Sequence, residues 1–394
     1  MTYAEKGEAQ ATSAAPATGA LVLAGHLLSA ARLAQGASMR RATIPILTHL
    51  LLEATDGVLT VQATDMEVHA AATAPAHGSL PSVTVAAAVL VELLSRLPAD
   101  AEVHLEGDRK LGRLVMKAPG LTIRSMAMPV EDFPAAMEIK PVVSFEMPVA
   151  SLRRLLTLPA QAISTEETRY YLNGLFLHVS ADAEPQLGAV ATDGHRLVLA
   201  QEALPAAAAG MPSVIVPRGT VSMVRGLLNQ RVTGCIRVEV SDTRVRFAGA
   251  SWTITSKVID GTFPDWKRVV PRADQAVSRL KVPDPVGFAR RLELTAAIST
   301  ERSRPVRIEK RGRDTTVWIV ACSPDAGEAE LSMPADVAAW SEDSRPVTAG
   351  FQLRYLGTLA RAVPSGLTFL IQDHAAPMLA EFPAGLAVLM PMRV

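Results

Sequence analysis

The sequence predicts an α+β protein of three similar domains in tandem, each with two helices packed on antiparallel sheets. Three observations predict it. The pentapeptide AISTE stands at Ala162–Glu166 and again at Ala297–Glu301, 135 positions on, and self-similarity at a long period marks a repeated unit. Segments opening at Val83, Val214 and Val347, 131 and 133 residues apart, share one layout of extended lead, apolar run of helical period and alternating run. A Phe-Pro pair recurs at Phe133-Pro134 and Phe263-Pro264, each shortly before a new unit would begin. The predicted domains are residues 20–140, 141–271 and 272–394.

Taken in order, residues 1–19 are rich in Ala, Thr and Ser without apolar periodicity, and are expected to be a disordered tail outside the fold. Helical periodicity then comes twice per repeat, predicting helices at 25–36, 84–97, 148–159, 217–228, 283–297 and 350–362. Four of these are bounded by proline, which helix termini tolerate. The intervening runs, such as Gly57–Thr73 and Thr243–Asp260, alternate apolar and polar residues and read as antiparallel strands.

The chain of 394 residues is long enough for two to four domains at about 100–200 residues each. Half of it is apolar, so each domain can bury a core. Cys235 and Cys322 stand far apart with no C-x-x-C, which excludes a disulfide scaffold and a cysteine zinc site and fits the reducing cytoplasm. No apolar run approaches the ~18 residues of a membrane span. His26 and Arg32 interrupt the one stretch, Leu21–Ala34, that resembles a signal-peptide core. There is no G-x-G and no Gly-Lys, which removes the dinucleotide fingerprint and the P-loop. No G-x-S-x-G, H-E-x-x-H or calcium-loop pattern occurs, and no two histidines are spaced to share a helix face. No catalytic residue, metal or cofactor is expected.

Charge breaks the neutrality of the chain, which has 39 Lys+Arg against 39 Asp+Glu. The six helices carry Arg32, Arg96, Arg153, Arg154, Arg218, Arg225, Arg290, Arg291, Arg354 and Arg361 against Glu92, Asp284 and Glu293. On one helix such arginines are an ordinary solvated face; the same bias on six points to phosphate held without sequence preference. Aromatic residues are only 4% of the chain, so stacking on single-stranded bases is disfavoured and duplex DNA is the better reading.

The strings ATIPILTHLLLEA (Ala42–Ala54), ATDMEV (Ala63–Val68), TRYYLNGLF (Thr168–Phe176), ATDGHRL (Ala191–Leu197), SKVIDGTFPDWKRVVP (Ser256–Pro271) and MPMRV (Met390–Val394) occur in an order and spacing that is specific. With them the chain resembles, from about Leu21 to Val394, the bacterial DNA polymerase III beta subunit, or sliding-clamp, family. The resemblance implies a head-to-tail homodimer closing a ring of six domains, helices inside and sheets outside. Such a ring encircles duplex DNA, slides and tethers the replicative polymerase, a processivity role without catalysis. Rebinding of a tethered enzyme is intramolecular, so the gain is one of effective concentration. By motif, Arg41, Tyr170 and Tyr171 match positions that approach DNA, with the arginines at 32, 96, 153, 154, 225, 290, 291 and 354 supplying a diffuse field. The two tyrosines are equally readable as half-buried strand aromatics.

The family's clients (polymerase catalytic subunit, clamp loader, repair and translesion polymerases) insert a short linear peptide into an apolar pocket between the second and third domains. The matching positions are Leu172, Thr192, Gly194, His195, Arg196, Leu197, Pro264, Arg268, Val269, Val388, Met390, Pro391, Met392, Arg393 and Val394, with Thr368 a looser match. Methionine's soft thioether suits a surface that receives several apolar side chains. Asp193-Gly194 also reads as a plain turn, and Met390-Pro391-Met392 as a terminal strand. Ile298 matches a subunit-interface position and equally a helix core position. The added amino-terminal tail, a carboxyl-terminal segment without a tyrosine before its last motif, and the basic run Glu301–Asp314 keep open a paralogous clamp serving repair or translesion polymerases. A motif-poor enzyme or a purely structural ring protein are the readings from other classes.

Overall fold

The computed structural model describes residues 19–108, 111–228, 233–299, 304–383 and 385–393. The tail expected at 1–19, apart from Gly19, and Val394 lie outside the described residues, as does the end of the second AISTE copy. The chain divides into two compact units, Met1–Met137 with Ala250–Ile254, and Glu138–Gly249 with Thr255–Val394.

All six expected helices form: α1 (Ala24–Gln35), α2 (Ala87–Leu94), α3 (Val149–Ala160), α4 (Arg218–Leu228), α5 (Pro285–Thr295) and α6 (Leu353–Ala362). In α6, Leu353, Leu356, Gly357 and Ala360 are buried at helical spacing, so one stripe meets the sheet while Arg354 and Arg361 stay exposed. Pro285 sits at the first turn of α5, and the Asp284 carboxylate accepts the Gly287 N–H at 2.9 Å, capping it. α2 is shorter than the expected 84–97. Residues 84–86 continue the strand Leu80–Ala86, because Val83 and Val85 point into the core and β-branched residues favour the extended chain.

The repetition is visible in the pairing. The strand before the first helix of each repeat pairs antiparallel with the strand after the second: Ala20–Leu23 with Glu102–Asp108, Val143–Pro148 with Cys235–Val240, and Ser278–Val282 with Leu367–Ile371. The strand before the second helix also recurs in place. Leu80–Ala86 pairs with His49–Thr55, Val214–Pro217 with Gly174–Val179, and Val347–Gln352 with Pro305–Lys310.

In the first unit, Ala20–Leu23 belongs to a five-stranded sheet that ends on Leu121–Met126, and His49–Thr55 is central to a set that includes Val58–Thr64 and Val68–Pro75. The second unit contains a four-stranded sheet ending on Gly327–Met333 and a nine-stranded sheet. The nine-stranded sheet is shared by the spans 141–271 and 272–394 through the pairing of Arg196–Ala203 with Gly385–Leu389, which sets Leu197 opposite Val388.

Candidate functional site

At the start of that junction the chain turns through Thr192-Asp193-Gly194-His195. Thr192 Oγ1 donates to the Arg196 carbonyl at 2.8 Å, and the Asp193 carboxylate accepts the backbone N–H groups of His195 and Arg196 at 3.0 Å each. Gly194 takes φ +87°, the left-handed region where a side chain is strained. The same turn occurs in the first repeat: Thr64 Oγ1 donates to the Val68 carbonyl, and Asp65 accepts from Glu67 and Val68. Asp193 is therefore occupied by backbone and by Arg196 rather than by the His195 ring, so the two do not form an acid–base pair.

Arg196 is the buried centre of the site. Its Nε donates to Asp193 Oδ2 at 3.1 Å, Nη1 to Thr358 Oγ1 at 3.2 Å, and Nη2 to the Gln161 carbonyl. The guanidinium carbon stands 4.3 Å from the centre of the Tyr355 ring. Burial pulls the Arg196 pKa below its ordinary value against the opposing pull of Asp193, and burial pushes the Tyr355 phenol up.

Beside this network lies an apolar cluster in which Leu172, Val190, Leu197, Leu199, Phe263 and Val388 are buried together. Around it are exposed Pro264, Arg268 and Val269, and Met390 at 45% exposure. The Met390 N–H donates to the His195 carbonyl and the Met392 N–H to the Gly350 carbonyl, both at 2.9 Å, which lays the terminal segment beside the turn. Pro391 and Met392 are half-buried and Arg393 is exposed. Thr368 is half-buried on the same face of its strand as Leu370, a member of the cluster. Thus Leu172, Leu197, Val388, the 192–196 turn and Met390 are brought together.

The rim of the cluster is held from below by a stack that the sequence reading missed. Phe176 and His178 project from one face of the strand Gly174–Val179. Phe263 stacks on Phe176 at 4.9 Å and 2°, His178 stacks on Phe176 at 5.0 Å and 13°, and Trp266 meets His178 edge-on at 5.8 Å. Phe176, Ile259, Trp266 and Val270 all pack against the cluster that holds Leu172 and Val388. Tyr355, Thr358 and Gln161 were missed as well. The readable signal was the alternation Phe176-x-His178; that Gly188 stands opposite His178 is given only by the register of the fold.

The residues matched to DNA contacts are more varied than a uniform field. Arg41 is exposed; Tyr170 is 53% exposed and edge-on to half-buried Tyr171, their rings 5.8 Å apart. Among the described residues Arg32, Arg290, Arg291 and Arg354 make no ion pair, while Arg96 pairs with Glu92, Arg361 with Glu293, and Arg154 bidentately with Glu202. Arg153 donates to the Leu228 carbonyl at 2.8 Å, and Arg225 is half-buried, its pKa lowered by burial. Arg153 and Arg154 line a groove of about 1080 Å³ with Glu202, Glu381 and Phe382. Ile298 is half-buried at the end of a short 3-10 turn after α5. Among the described residues no group of three or more His, Cys, Asp or Glu could hold a metal ion, and no helix is long and apolar enough to cross a membrane.

Comparison with known proteins gives two family matches: DNA polymerase III beta subunit, N-terminal domain, over residues 22–137, and its central domain over residues 146–265. A beta sliding clamp of Caulobacter vibrioides is 36% identical over 375 residues, 93% of this chain and 98% of that protein. The Escherichia coli beta sliding clamp is 30% identical over 387 residues, 94% of this chain and 98% of that protein. Among solved structures, a DnaN sliding clamp from Bartonella birtlesii bound to griselimycin has a TM-score of 0.87 at 31% identity, covering 96% of this chain and 100% of that one. A Caulobacter crescentus beta sliding clamp with PEG bound also has a TM-score of 0.87, at 35% identity over 95% of this chain and 99% of that one.

Proposed function

The chain belongs to the DNA polymerase III beta subunit family, and from that membership we infer that it is a DNA sliding clamp, a non-catalytic subunit that keeps DNA polymerase III on its template. In our reading, clamp domains at 20–140, 141–271 and 272–394 form a head-to-tail homodimer that closes around duplex DNA in the cytoplasm. Two free edges support the ring. Leu121–Met126 ends one sheet and Gly327–Met333 ends another. An exposed edge strand invites pairing, and joining unlike edges by a rotation that closes gives a ring. Leu121 and Met126, 37% and 72% exposed, offer apolar area on the first of these edges.

The observation that supports this reading best is the apolar cluster of Leu172, Leu197 and Val388, buried side by side, with exposed Met390 and Val269 around it. A peptide bearing two apolar anchors fits there, and the polymerase catalytic subunit, clamp loader, and repair and translesion polymerases are the clients we assign to it. Exposed Tyr170, half-buried Tyr171 and the arginines that make no ion pair among the described residues supply weak phosphate contacts compatible with sliding, since base-specific contacts would arrest it.

The test is fluorescence anisotropy of a labelled Gln-Leu-x-Leu-Phe peptide titrated with the intact chain and with a chain lacking Met390–Val394. Saturable binding lost on truncation is expected. An intact folded protein that binds no such peptide would withdraw the site.

A further inference from the structure

We propose that His178 is the positioning residue of the client-pocket rim, and that protonation of its ring releases that rim and lowers client affinity. The proposal rests on the client-site reading above. The ring of His178 lies on bare backbone at Gly188, where an added Cβ would stand 2.7 Å from the imidazole Cε1, and it is sandwiched against Phe176 on its own strand. Trp266, which meets it edge-on, opens the short 3-10 turn Trp266–Val269 that carries Arg268 and Val269, two positions assigned to the pocket. Phe263, stacked on the other side of the same ladder, immediately precedes Pro264. The histidine is thus, with Phe176, one of the two inner rings of a continuous four-ring ladder on which the rim rests.

Charging the ring breaks this arrangement for a physical reason. His178 is buried, and its Nδ1 makes no well-aligned hydrogen bond among the described residues, so an imidazolium there loses more in water than its neighbours return. Burial holds its pKa below the ordinary value. The backbone of Phe176 and the Asp182 carboxylate favour the charged form, Lys267 opposes it, and burial outweighs them. Lys267 and Asp182, the charged groups facing the ring, pair with each other at 3.8 Å on the surface. The face of Phe176 attracts a cation, yet one aromatic face does not replace a hydration shell. Below the ordinary histidine range the ring is therefore driven out to water, and Trp266 with the rim goes with it.

The experiment is anisotropy of an end-capped Gln-Leu-Ser-Leu-Phe peptide, which does not titrate, on the full chain at about pH 7.5 and about pH 5. Wild type is expected to weaken about tenfold across that range. The ratio of the two affinities should stay within about twofold for His178→Phe, and for His178→Gln should the phenylalanine variant fail to fold. His195 is present in all three proteins, so the comparison isolates His178. Parallel pH profiles in wild type and variant would overturn the proposal and leave the pocket standing. Absence of binding by wild type at the higher pH would overturn the pocket reading and this proposal with it.

Discussion

The guanidinium of Arg196 lies over the ring of Tyr355, 4.3 Å from its centre, and ties the second repeat to the third. It also satisfies Asp193, Thr358 and the Gln161 carbonyl. A planar fork that binds three acceptors and stacks on an aromatic face is a job lysine cannot do. Replacing Arg196 by Ala leaves the Asp193 carboxylate without its cation and should destabilise the chain by about 3 kcal/mol in urea unfolding. Arg196→Lys should fall between, keeping the charge and losing the fork. Equal stability of all three proteins would refute the network's role.

His49 is buried on the strand His49–Thr55, and burial lowers its pKa from the ordinary 6.5. Above pH 6.5 the ring is neutral both folded and unfolded. As pH falls below 6.5 the unfolded chain binds the proton first, so stability drops until the lower folded pKa is reached. Thermal unfolding at a series of pH values should show this decline, and His49→Leu should flatten it. A wild-type profile unaltered by that substitution would mean the decline comes from other groups.

Gly188→Ala places a methyl carbon 2.7 Å from the His178 ring, which must leave its stack on Phe176 to give way. The cost should be about 1–3 kcal/mol, as for overpacking a filled core. Adding His178→Ala to the same chain removes the clash, so the double variant should be more stable than the two single losses predict. Strict additivity would show that the ring and the glycine do not meet.

The helices, the hairpins and the turn at Asp193 were legible because each is written in local spacing: apolar stripes at helical period, alternation, and a Thr-Asp-Gly sequence that bonds to its own backbone. The ion pair of Glu92 with Arg96, four residues apart on one helix, is written in the same local spacing, yet the sequence reading assigns Arg96 to the field around DNA instead. What stayed hidden depends on distant partners. Glu202 neutralises Arg154 from 48 residues away, and Arg196 finds Thr358 across 162. The ladder under the pocket rim joins His178 to Trp266 through a fold that periodicity does not specify. The shortening of α2 has a local cause in the β-branched run Val83-Thr84-Val85, which lies inside an apolar stripe of helical period and competes with it.

Met126 is 72% exposed on the free edge Leu121–Met126. On the ring proposed above, a second copy docks on this edge, so Met126→Lys adds a charge there beside Arg124 and forfeits about 1.5–3 kcal/mol of side-chain burial, at least tenfold in the dimer constant. Sedimentation should show the shift to monomer with little change in thermal stability, because the residue is solvent-facing in the single chain. Retention on closed circular DNA should fall in parallel. A variant that remains dimeric at low concentration would remove this edge from the interface.

The helix arginines should divide into two classes. Arg290 and Arg354 make no ion pair among the described residues, so a phosphate is free to recruit them. Replacing either by Ala should lower the slope of log affinity against log salt for a short duplex by about 1. Arg154 is bound bidentately by Glu202, whose side chain is only 12% exposed. To reach phosphate it must surrender a charge-assisted pair and leave that carboxylate unsatisfied. Arg154→Gln should therefore leave the slope nearly unchanged while lowering stability. If Arg154 contributed to the slope as fully as Arg290, the carboxylate would have to release it whenever DNA arrives, and the two classes would collapse into one.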